Sequence, residues 1–145
     1  MSLPGKLARL ALREWLDLLT AQITLLRCQA RLRWQPVGSL VRRDAALHTV
    51  SSGQLDRAHA IALAVSRAAE HGVFRPRCLA RAMATRDLLD KNGIVGSTIR
   101  VGVQRENGKF LAHAWILWGT HVLGDDPSWV ARFTEVDDLR VLGNA

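Results

Sequence analysis

Cysteine is scarce in this chain. Two of them in 145 residues exclude a disulfide framework, and neither Cys28 nor Cys78 has metal-ligand spacing around it. Long hydrophobic runs are missing as well. In the Leu-rich opening segment, Lys6, Arg9, Arg13, Glu14 and Asp17 break up the apolar residues. The longest uncharged stretch there, Leu18 to Leu26, falls far short of the ~20 residues that cross a bilayer. Nothing at the N-terminus resembles a cleavable signal, so no stable membrane insertion is expected, and the expected location is the cytoplasm, where both thiols stay reduced. Internal repeats, disorder-like tracts, a zinc finger, an aromatic RNA-stacking motif and a convincing recognition helix are all lacking. That argues against nucleic acid as a partner despite a formal net charge of +7.

What is present is ordinary globular composition, 48% hydrophobic and 23% charged. A chain of this length buries roughly 70% of its unfolded surface as one domain. The expected organisation is a single domain over 1–145, with a variable helical region over 1–50 and a catalytic core over 51–145. The positive charge is almost all arginine, 17 Arg against 3 Lys. Arg27, Arg31, Arg33, Arg42 and Arg43 come nearest to a cluster and favour acidic partners.

Apolar residues recur at helical intervals over 4–33, through Leu7, Leu10, Leu18, Leu25 and Leu32, until Pro36 and Gly38 break the pattern. Glu14 and Asp17 spoil the basic face of a lipid-binding helix, which leaves a packed or partner-binding one. Ser51-Ser52-Gly53 precedes a second helix, whose start a serine can cap, with Leu55, Ala58, Ala62, Val65 and Ala69 as its stripe and Gly72 as its stop. A third starts near Cys78 and ends at Asn92-Gly93. After Gly96 the period becomes two: a strand through Ile99, Val101 and Val103, a turn at Asn107-Gly108, a strand over 110–118, a hairpin at Gly119-Thr120 and a strand over 121–124. Residues 133–142 are expected to add a short closing element. The predicted fold class is α+β, a helical N-terminal half followed by a Cys-bearing helix packed on a small antiparallel sheet.

Three residues on these elements carry chemistry. Cys78 opens a helix, where unpaired N–H groups and the macrodipole favour a thiolate, and Arg75 and Arg77 add positive potential. His113 lies in the second strand between two alanines, with Trp115 on the same face. An acid follows on the next strand. A strict two-residue turn at Gly119-Thr120 pairs position 113 with Asp126, whereas a bulge or a longer loop brings Asp125 opposite. Cys, His and Asp in that order on helix and adjacent strands make a papain-like set, nucleophile, base and orienting acid. The backbone N–H of Cys78 is a candidate oxyanion donor, with no second donor assigned. Cys28, in mid-helix, reads as a packed hydrophobe.

The segments Arg75-Pro76-Arg77-Cys78-Leu79-Ala80-Arg81-Ala82, Leu88-Leu89 with Asn92-Gly93-Ile94, Val101-Gly102-Val103, His113-Ala114-Trp115 and Val122-Leu123-Gly124-Asp125 closely resemble the transglutaminase-like leader peptidases of lasso-peptide biosynthesis. The resemblance covers roughly 55–130. It implies a papain/transglutaminase-like core and a bacterial cysteine endopeptidase that cuts the leader from a ribosomally made precursor, freeing the core peptide's amine for a separate ATP-dependent lasso cyclase. It implies Cys78 as nucleophile, His113 as general base and Asp125, rather than Asp126, as the residue orienting the imidazole. No cofactor and no metal is implied. A pocket reading the threonine next to last in the leader is implied, without assignable residues. The helical N-terminal half resembles the stand-alone form, which needs a separate leader-recognition protein; the Leu-rich helix of 4–26 or the Arg-rich stretch 27–43 is the expected docking surface. The alternatives are a transglutaminase-like amidase or acyl transferase, and a non-catalytic basic helical adaptor.

Overall fold

The computed structural model describes residues 12–36, 50–72 and 74–136. Helix α1 spans Leu12–Trp34, α2 Ser52–His71 and α3 Cys78–Lys91. Strands β1 (Thr98–Glu106), β2 (Lys109–Trp118) and β3 (His121–Leu123) follow, then a short α4 (Pro127–Val130) and β4 (Thr134–Glu135). The sheet is antiparallel with the order β3-β2-β1-β4. This is the α+β architecture expected from the change of period at Gly96.

Local chemistry sets the boundaries. Ser51 caps α2, its hydroxyl accepting from the Gln54 N–H at 3.3 Å. Gly72 ends α2, though not in the left-handed conformation usual for a terminal glycine; its φ is −79°. A Cβ there would collide with the Gln22 side chain of α1 and the Ala68 carbonyl, so close approach is what calls for glycine. Asn92 and Gly93 close α3, with Gly93 at φ 75°.

Helix α3 is the centre of the molecule. Periodicity predicts one apolar face on it, whereas Ala80, Ala82, Met83, Ala84, Thr85, Arg86, Leu88 and Leu89 are all buried. Small alanines let α1 and α2 approach one side while the sheet covers the other, and a helix enclosed all round shows little amphipathy. Leu25, Cys28, Val65, Met83, Leu89 and Ile116 are completely enclosed in this core. Each large aliphatic among them contributes roughly 1.5–3 kcal/mol by leaving water.

The first predicted helix is observed from Leu12; residues 4–11 lie outside the described residues, as do Arg42 and Arg43. Helix α1 turns Ala21, Leu25 and Cys28 into the core and leaves Leu16, Leu19, Ile23 and Leu26 exposed on its other side. Asp17, which counts against a lipid-facing helix, pairs with Arg57 of α2 at 3.3 Å. No helix among the described residues is long and apolar enough to cross a membrane.

Two elements differ from the sequence expectation. β3 stops at Leu123 instead of Gly124, and the predicted closing element over 133–142 is a two-residue strand, Thr134–Glu135, on β1, with 137–142 outside the described residues. Helix α4 has no counterpart among the elements that periodicity predicts. Its signal is legible afterwards: Asp126 caps it, and Pro127 occupies a first-turn position whose N–H would be unpaired anyway.

Candidate active site

Cys78 is the first residue of α3, and Arg77 before it is extended with no side-chain cap. The Arg77 N–H donates to Gln29 of α1 at 3.3 Å, which ties the entry to α3 against α1. The thiol is half-buried. Burial alone would push its pKa up, but hydrogen bonds from His113 and from the backbone N–H groups of Ala114 and Leu79 outweigh it, and the thiol titrates below the ordinary 9.0.

The Ala114 N–H is free for this task because of strand parity. The two-residue turn Asn107-Gly108, both at positive φ, joins the pair Glu106↔Lys109, so odd-numbered residues of β2 bond to β1 and even-numbered ones face β3. The hairpin at Gly119-Thr120 gives the same parity from the other side, through Trp118↔His121. Yet β3 ends at Leu123, opposite Ile116. The next even position, Ala114, therefore has no ladder partner, and Cys78 occupies that gap.

His113 points from the other face of β2 and reaches round this edge. Its Nε2 lies 3.2 Å from Asp125 Oδ2, so Nδ1 is the nitrogen left for the thiol. Three aromatic rings hold the imidazole: Trp115 stacks at 6.2 Å, Trp129 meets it edge-on at 4.5 Å, and Phe133 lies at 5.6 Å. Burial pushes His113 down, but the hydrogen bonds and charges of Asp125 and Cys78 more than reverse this and raise its pKa to about 9. A lowered thiol beside a raised imidazole is the direction that favours a thiolate–imidazolium pair.

The choice between Asp125 and Asp126 is made by Gly124. The hairpin keeps the strict two-residue register, with neither a bulge nor a longer loop, and on that register alone Asp126 would oppose His113. Gly124 takes φ 79°, a conformation costly for any residue with a side chain, and ends the strand before the register reaches either acid. Asp125 is thereby swung to the imidazole. Asp126 instead accepts from the Ser128 N–H at 2.8 Å and from its hydroxyl at 2.6 Å, starting α4.

All three residues singled out by sequence therefore line one small cleft, with Ser66, Arg81 and Thr85 beside them. Arg81 donates to Ser66 Oγ at 3.2 Å. Trp129, Phe133 and the Ala114 N–H join the site without a sequence signal, because ring contacts across a turn and a truncated ladder leave no periodic trace. Of the other histidines, His59 and His71 are exposed, His121 is half-buried, and His48 lies outside the described residues. Among the described residues no cluster of His, Cys, Asp or Glu could hold a metal.

Cys28 is the opposite case. It is fully buried, 3.7 Å from Asp87 Oδ2, and burial followed by that carboxylate pushes its thiol up to about 12. Cys28 is thus enclosed and held protonated, whereas Cys78 is half-buried and its thiol is lowered, which makes Cys78 the more reactive of the two. At about pH 6–7, iodoacetamide should alkylate Cys78 at least about tenfold faster than Cys28, read by peptide mass mapping. Equal rates would refute the ion pair. Turnover should be bell-shaped in pH, with an alkaline limb near 9, where His113 loses the proton it must deliver.

A sequence profile of the transglutaminase-like superfamily matches residues 12–137. The chain belongs to the transglutaminase-like superfamily. The match begins at Leu12 and takes in α1, beyond the 55–130 that carry the lasso-peptidase resemblance. Neither a curated protein nor a solved structure matches the chain. Transglutaminase-like domains commonly carry Cys-His-Asp chemistry of the cysteine protease or acyltransferase kind.

Proposed function

We propose that this chain is a cysteine endopeptidase that removes the leader from a ribosomally made lasso-peptide precursor. The observation that carries the reading is the Cys78–His113–Asp125 cleft, with Nε2 of His113 3.2 Å from Asp125, set within the Arg-Pro-Arg-Cys, His-Ala-Trp and Leu-Gly-Asp segments that resemble those peptidases. In the proposed reaction the Cys78 thiolate attacks the carbonyl carbon at the leader's end. The Cys78 N–H, unpaired in the first turn, stabilises the oxyanion. The His113 Nδ1 proton passes to the departing amine, which leaves as the N-terminus of the core peptide, and the leader remains as a thioester. Neutral His113 then takes a proton from water, whose hydroxide attacks the thioester. The leader departs as a carboxylate and the sulfur returns as thiolate. Asp125 fixes the imidazole and stabilises its charged form throughout.

The freed amine is the group a separate ATP-dependent lasso cyclase would join to an acidic side chain. A separate leader-recognition protein is part of the proposal. The exposed Leu16, Leu19, Ile23 and Leu26 of α1, flanked by the exposed Arg13 and Arg27, are the face offered to it. The setting is a bacterial cytoplasm.

Superfamily membership also supports a second reading, in which an amine rather than water resolves the thioester. Incubating the protein with a lasso precursor and its recognition protein, then measuring masses, separates the two. Leader and core summing to the precursor plus one water is the expected result. A leader mass increased by an added amine indicates acyl transfer. An intact precursor with the recognition protein present overturns the peptidase.

A further inference from the structure

The parity that directs the Ala114 N–H at the sulfur also governs the residues before it. Phe110 and Ala112 are the preceding even positions of β2, so their N–H and C=O groups face the same outer edge, beyond the end of β3. Among the described residues nothing pairs with them. Both residues are exposed, whereas Ala114 is buried. Exposed edges are normally blunted by charge, proline or a bulge. This one presents apolar side chains instead: Phe110 is 74% exposed and Leu111 39%. Arg105, paired across from Phe110, lies 5.7 Å from its ring and braces it.

We infer that the substrate peptide adds as an extended strand along the outer edge of β2, bonded to the backbone of Phe110 and Ala112, and delivers its scissile carbonyl to Cys78. This rests on the peptidase reading of the site. Continuity favours the substrate as occupant: the open edge runs into the catalytic gap, the Ala114 position lying about 6.8 Å, one two-residue repeat, beyond Ala112. Backbone pairing would supply affinity without sequence preference, and alternate side chains of the peptide would meet the Phe110 side. The small side chain of Ala112 leaves the approach open.

The experiment uses the full chain. In Cys78→Ala with the recognition protein present, adding the precursor peptide should slow amide exchange, measured by NMR, at least tenfold at Phe110 and Ala112. The Leu111 N–H, already bonded to β1, should not change. In the active protein, Ala112→Pro deletes an N–H that no ladder uses, a place where an edge strand tolerates proline. It should raise KM for the precursor at least tenfold with the rate of Cys78 alkylation unchanged. N-methylation along the peptide should impair cleavage at every second residue. If the precursor is cleaved normally while the two amides stay unprotected, or with unchanged KM in a folded Ala112→Pro, the strand-addition inference falls and the peptidase stands. A precursor that neither binds nor is cleaved with the recognition protein present removes both. Protection of Phe110 and Ala112 in the free protein, rising with its concentration, assigns the edge to a second copy and also overturns the inference. Should Ala112→Pro fail to fold, the exchange measurement decides alone.

Discussion

Cys78→Ala should lose turnover by a factor on the order of 10⁶ while the protein stays folded and still holds its substrate. The size of the loss follows from the role. No other described side chain in the cleft is a thiol, and Cys28 is fully enclosed behind α3. The retained fold follows from position. Cys78 opens α3 and is only half-buried, whereas the helix is held by Ala80, Met83, Ala84, Leu88 and Leu89 in the core. Removing one sulfur there deletes its contacts with the Ala114 N–H and His113, at a position that is only half-buried. Circular dichroism and precursor binding should match the parent protein, and only turnover should vanish. His113→Ala should fall nearly as far, because the thiolate loses both its partner cation and its proton donor, and residues acting as a unit do not contribute additively. Cleavage at near-parental rate by either variant ends the mechanism.

How far the sequence alone leads depends on what each feature leaves in a one-dimensional pattern. The β1–β2 hairpin is legible because Asn107-Gly108 suits a turn with both central residues at positive φ and alternation flanks it on both sides. The start of α2 is legible because a serine stands where the cap belongs. Cys78 and His113 are legible because residue type and element coincide. The enclosure of α3 is not, since alanines read equally well as a small apolar face or as room for two neighbours. Nor is the acid legible from residues alone. The register argument correctly gives the hairpin, with Trp118 opposite His121, yet it assumes that the strand continues. Gly124 ends it one step earlier, and a single left-handed residue exchanges which carboxylate reaches the imidazole.

That exchange makes the two adjacent acids the sharpest remaining test. Asp125→Ala should cost on the order of 10⁴ in kcat, because it removes the acceptor at 3.2 Å that fixes the His113 ring and sustains its charge. Asp125→Asn keeps an acceptor oxygen but loses the carboxylate charge, so its loss should be smaller and of a different kind. Burial opposes the charged imidazole, and the hydrogen bond and charge of Asp125 are among the forces that raise its pKa to about 9. With the charge gone, the imidazolium loses its proton at lower pH, and the alkaline limb of turnover should move down from 9 towards the ordinary 6.5. Asp126→Asn should leave both rate and limb in place. Its carboxylate is turned away to Ser128, and asparagine caps a helix about as well as aspartate does. Rate–pH profiles of the three variants on one precursor measure all of this together. A large loss in Asp126→Asn alone, with Asp125→Asn at the parental rate and limb, would mean that the carboxylate beside His113 in solution is the one the unbroken register puts there.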